Sequence, residues 1–171
     1  MSRAWLALLV CLALQACAAN EADERAKPEA AALSYDARGW LMLIAHAHAQ
    51  ADEALSSGRA DQAHGALQAA LQRAVPPEVS AEHVRWLHQD LWYRLSAVDL
   101  EREPARALIE AERGLALGQS DDMFSSNLLA ARGHALRALG RDTEAASSYH
   151  AAIKIDERLL DAALGGGGGG P

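Results

Sequence analysis

The run LAARGHALRALGRDTEAASSYHAAIKID, residues 129–156, constrains this chain more than any other stretch. It reads as two short amphipathic helices joined by a tight turn at Gly140. Leu129, Arg132, Gly133 and Leu136 fall at helical spacing before the turn, and Ala145, Tyr149, Ala152 and Ile153 after it. Two helices approach to about 8–10 Å in a hairpin, closest where side chains are small. Gly133, Ala145 and Ala152 supply that smallness, and Leu136 and Tyr149 fill the neighbouring grooves. Gly140 suits the left-handed conformation that closes a helix, and Asp142 or Thr143 can cap the next one.

Two fainter copies precede this hairpin. Gly58-Arg59-Ala60-Asp61-Gln62-Ala63 parallels Gly140-Arg141-Asp142-Thr143-Glu144-Ala145, with Leu67, Ala70 and Leu71 following as Tyr149, Ala152 and Ile153 do. In the middle copy Leu91, Arg94, Val98, Ala107, Ala111, Gly114 and Leu115 parallel Leu129, Arg132, Leu136, Ala145, Tyr149, Ala152 and Ile153. The separations 107 − 63 = 44 and 145 − 107 = 38 make the period loose.

The pattern resembles the tetratricopeptide repeat (TPR), a helical hairpin of about 34 residues. Gly133 matches its small residue, Gly140 its glycine before the turn, and Ala145, Tyr149 and Ala152 its A-x3-aromatic-x2-A. Leu129 stands where the family has Trp, and Glu157 where it has Pro. The expected fold is therefore all-α, a helical-hairpin solenoid of about three TPR-like repeats. The repeat-defining positions are Gly58, Ala63, Ala107, Gly114, Gly133, Gly140, Ala145, Tyr149 and Ala152.

The N-terminus reads as a processing signal. Arg3 supplies the positive charge, residues 4–14 the short apolar region, and Leu14-Gln15-Ala16-Cys17 a sequence that resembles the lipobox of bacterial lipoproteins. The competing readings are an ordinary signal cut after Ala18 or Ala19, or an uncleaved anchor. The expected division is residues 1–16 signal peptide, 17–33 flexible tether, 34–164 helical domain and 165–171 disordered glycine-rich tail. On the lipobox reading Cys17 carries diacylglycerol and an N-acyl chain, and no other cofactor is expected. Several acyl chains anchor a protein without help from its surface. Ala18, where the family uses Asp for inner-membrane retention, implies the outer membrane, facing the periplasm. Cys11 leaves with the signal, so the mature fold has neither free thiol nor disulfide.

Half of the 171 residues are hydrophobic and only one is Phe, a composition that suits packed helices. The formal charge of −7 disfavours nucleic acid, which needs a basic face. The histidines considered as pairs suggest no metal. His46 and His48 lie roughly 160° apart on a helix, and His83 and His88 are five apart, so neither pair shares a metal readily. The pairs Ser56-Ser57, Ser125-Ser126 and Ser147-Ser148 lack any context that activates a hydroxyl. The expectation is no catalytic residue, no enzyme and no metal.

Trp40, Trp86 and Trp92 can each be core. Trp86, however, lies off the Val84–Leu87–Leu91 stripe. By the resemblance, Trp92 takes the groove-facing position of Ala130, and Asn127, His134 and Arg137 match groove positions too. Trp86, Trp92, Asn127, His134 and Arg137 are thus the expected groove, fit for an apolar or helical peptide. In the last helix Ala151, Ile155, Leu159 and Ala162 widen the apolar arc to roughly 200°, about twice what packing on one mate needs. Ile155 and Leu159 are therefore expected on an exposed contact face for a homodimer or a partner. The resemblance implies an adaptor or scaffold in the cell envelope that binds another envelope protein or peptide, such as an assembly or pilot factor. The alternative is an envelope regulatory component that binds a small ligand or peptidoglycan fragment.

Overall fold

The computed structural model of the chain describes residues 35–165. The expected signal peptide, acylated Cys17, tether and glycine tail beyond Gly165 lie outside those residues. The described chain forms six α-helices: α1 (Tyr35–Ser56), α2 (Ala60–Leu71), α3 (Ala81–Asp99), α4 (Pro104–Ala116), α5 (Met123–Ala138) and α6 (Asp142–Gly165). None is long and apolar enough to cross a membrane.

The first and third hairpins turn in the same way. Gly58 and Gly140 take φ of +70° and +73°, which costs glycine no steric penalty. The next residue then reaches back over the last turn. Arg59 N–H donates to Ala54 O at 2.8 Å, and Arg141 N–H to Leu136 O at 2.9 Å, satisfying carbonyls the helix end would otherwise leave open. The middle hairpin has no such glycine. There the N–H groups of Arg102 and Glu103 donate to Asp99 O at 3.1 and 2.7 Å, and Pro104 starts α4 where no N–H is needed. Ser80 caps α3 and Asp122 caps α5 through side-chain acceptors.

Each helix packs on its neighbours in sequence, and α3 also packs on α5. Trp40, Ile44 and Ala51 of α1, Leu67 and Ala70 of α2, and Leu91, Leu95 and Val98 of α3 share one core cluster. Ala107 and Leu108 meet Ala135, Leu136 and Ala145 in a second. Leu115, Leu128 and Leu129 meet Ala152 and Ile155 in a third. Burying a leucine such as Leu128 or Leu136 contributes about 1.5–3 kcal/mol over leaving it exposed. Two close approaches depend on glycine. A Cβ on Gly114 would lie 2.6 Å from Leu128 Cδ2, and one on Gly133 2.6 Å from Tyr149 Cε1. Ala63, Ala107 and Ala145, one in each second helix of a hairpin, are all buried.

The last helix faces differently from its sequence expectation. Ile155 is 6 % exposed and packs in the third core cluster, so it does not lie on an exposed face. Leu159 is exposed, at 36 %. The side left open carries Ile153, Leu160 and Leu164, at 52, 58 and 71 % exposure. The arc is wide, as its composition requires, but α5 covers the Ala145–Ser148–Ala152–Ile155 side of it. The hydroxyl of buried Ser148, bonded by Arg132 Nη1 at 2.8 Å, makes that side habitable for a polar residue. Apolar spacing alone assigns Ile153 to the core and cannot see this.

Candidate functional site

Two buried carboxylates mark the molecule's most unusual chemistry. Asp99 ends α3, and Glu110 lies on α4 between Ala107 and Ala111, which point into the core. Glu110 is therefore carried inward by the same helical turn that buries its neighbours. Ionised carboxylates in such surroundings need partners. Asp99 has one in Arg106, whose Nε and Nη2 grip both its oxygens, the latter at 2.6 Å from Oδ1. Such a two-pronged contact is stronger and more directional than a single ion pair. The Asp99 contact raises the Arg106 pKa above its ordinary value.

Glu110 is less well provided. His64 of α2 places Nε2 3.0 Å from Glu110 Oε1 and 3.5 Å from Asp99 Oδ2. Glu110 Oε2 finds no hydrogen-bond partner among the described residues. Burial first, and the adjacent Asp99 carboxyl second, push the Glu110 pKa up to about 8. The negative charge of Asp99 beside it favours the protonated form of Glu110. His64 bridges the first hairpin to the second here, its side chain 18 % exposed.

A second constellation lies at the surface. Trp86 of α3 stacks on Phe124 of α5, with ring centroids 6.0 Å apart and planes inclined by 18°, and His83 meets Trp86 edge-on. Asp122 holds this edge together. Its carboxylate accepts from Arg85 at 2.9 Å, Ser120 Oγ at 2.7 Å and Trp86 Nε1 at 3.3 Å. Burial alone would raise the Asp122 pKa, but the Ser125 N–H, the Ser120 hydroxyl and the Arg85 guanidinium outweigh it and hold it below the usual carboxylate range.

The expected groove residues do not gather in one place. Trp86 and Asn127 are half-buried, and Trp86 belongs to the edge just described. His134 and Arg137 are exposed and surround Tyr149 instead: its hydroxyl lies 3.0 Å from His134 Nδ1, and the Arg137 guanidinium 6.0 Å from its ring. Trp92 turns inward. It is half-buried, packs against two core clusters and carries the Arg113 guanidinium 5.4 Å from its ring. Of the histidines weighed as pairs, His48 lies 3.2 Å from Asp90, His83 bonds Ser80, and His88 meets Trp40 edge-on.

His64, Asp99, Arg106 and Glu110 escape a reading based on local spacing, because His64 and Glu110 are 46 residues apart. One signal was present. Glu110 falls at helical spacing inside the apolar stripe of Ala107, Ala111 and Gly114, where a carboxylate is out of place. Compared with known proteins, the chain matches no family model, no curated protein and no solved structure.

Proposed function

We propose that this chain is a lipid-anchored scaffold of the bacterial envelope, three TPR-like hairpins that hold another protein and perform no chemistry themselves. The lipobox-like residues 14–17 support the anchor, and Cys17 would carry the acyl chains on the periplasmic side of the outer membrane. Three successive hairpins, two of them closed by the same Gly-Arg turn, support a repeat architecture. The observation that carries the binding role is the stripe Ile153–Leu160–Leu164 on α6. Exposed apolar side chains that recur along one helix usually mark an interface. The stacked Trp86–Phe124 pair is a second candidate contact, since rigid aromatics anchor partners at low entropic cost.

A photo-reactive amino acid at Leu160 of the acylated protein, in its native membrane, tests this reading. Gln68, exposed on α2, is the control position. A discrete adduct from Leu160 and none from Gln68 is expected, and an adduct of twice the chain's mass would identify the partner as a second copy. The Cys17→Ser protein should lose both palmitate labelling and the adduct. Equal adducts from both positions, or none from Leu160, would contradict the scaffold reading.

A further inference from the structure

The cluster where α2 meets α3 and α4 presents three metal-ligating atoms to one point. His64 Nε2 is 3.0 Å from Glu110 Oε1 and 3.5 Å from Asp99 Oδ2, and donor atoms from all three residues lie within 4.8 Å of one another. Around a tetrahedral zinc ion, ligand atoms at about 2.0–2.1 Å stand roughly 3.3 Å apart, and these separations bracket that value. The geometry points to a divalent transition-metal site of one imidazole and two carboxylates, His64, Asp99 and Glu110, which staples the first helical hairpin to the second.

Three features beyond proximity support this site. Glu110 is 3 % exposed, yet its Oε2 has no hydrogen-bond partner among the described residues, so the site holds unused acceptor capacity on a buried carboxylate. Asp99 is oriented by a partner outside the ligand set. Arg106 takes one lone pair from each oxygen, and a carboxylate has about four. Carboxylate ligands are commonly held by such outer hydrogen bonds. The donor set also selects its ion. One imidazole with two carboxylates suits zinc or manganese, whereas calcium takes six to eight oxygens and magnesium keeps most of its water. Three protein ligands and a partly exposed His64 leave room for a fourth ligand from solvent. The Arg106 charge weakens cation binding and so sets an upper bound on affinity.

Zinc titration of the purified full chain in detergent, after stripping with a chelator, tests the assignment by calorimetry and thermal unfolding. One equivalent of zinc should bind and raise the unfolding midpoint, because only the folded chain assembles the ligands. His64→Ala should weaken that binding by roughly tenfold or more and remove the rise in midpoint. Glu110→Gln keeps the side chain's shape without its charge, and should fold but bind equally poorly. A midpoint that does not respond to zinc, a response that survives in both variants, or an equal response to magnesium would overturn the site.

Discussion

The junction at α2, α3 and α4 and the hairpin of α5 and α6 are held by different physics. Between α5 and α6, Tyr149 lies against Gly133, Leu136 meets Ala145, and the buried polar atoms are hydroxyls with partners such as Asp156 on Ser126. No carboxylate is enclosed there among the described residues. At the earlier junction, two carboxylates are enclosed with one arginine and one histidine to balance them. Dry packing is insensitive to solution conditions. A buried charge cluster is stable only in particular protonation or ligation states, and breaking one member leaves the others uncompensated. The middle hairpin is also where the Gly-Arg turn is missing and Asp99, which receives the turn's N–H groups, supplies the cluster's carboxylate.

The largest effect should come from the dry side. Leu136→Ala should cost about 2–5 kcal/mol, measured by denaturant unfolding, and the cost should be the same at pH 6 and pH 8. Ile155→Asp belongs with it, since it places a charge in the third core cluster and should lose helical content. A folded Ile155→Asp protein would mean that α6 packs through another face.

On the polar side, Asp99→Asn should cost about 1–3 kcal/mol, because Glu110 keeps its burial while Arg106 loses its strongest contact and retains Glu103 at 3.1 Å. With the neighbouring negative charge gone, the Glu110 pKa should move down, which carboxyl NMR would detect.

Smaller and more diagnostic is the pH profile in chelator. The folded pKa of Glu110, about 8, lies above the ordinary carboxylate value, so the native state keeps a proton that the unfolded chain has released. Stability is then full at acidic pH and declines as pH rises toward 8, by at most about 1.4 kcal/mol per pH unit. Burial holds His48 and His88 below the usual imidazole range, so they act in the opposite sense. They remove stability as pH falls below about 6.5, where the unfolded chain binds protons the native state refuses. Glu110→Gln should flatten the alkaline decline and leave the acidic limb. The smallest change in stability, within about 0.5 kcal/mol, is expected for Leu160→Asp, whose site is 58 % exposed, and it should affect only partner capture.

What the sequence makes legible follows the same division. The all-helical class and the turn at Gly140 are local signals with local causes. Apolar periodicity likewise places Leu91, Leu95 and Val98 inside. Periodicity fails where an arc is wider than one partner can cover. In α6 it sends Ile153 inward and Ile155 outward, and tertiary contact with α5 reverses both. The parallel between Leu115 and Ile153 fails for the same reason, since Leu115 is buried and Ile153 is not. Pairing histidines by spacing also cannot find His64, whose partners arrive from two other helices.

Native-state hydrogen exchange, followed residue by residue at pH 6 and pH 8 in chelator, tests the contrast between the two regions most directly. Amides of α2 should lose opening free energy between the two pH values, while those of α5 and α6 should stay unchanged after correction for intrinsic exchange. The α2 change should vanish in Glu110→Gln. Equal protection of all three helices at both pH values, or a pH-dependent loss centred on α5 and α6, would contradict it.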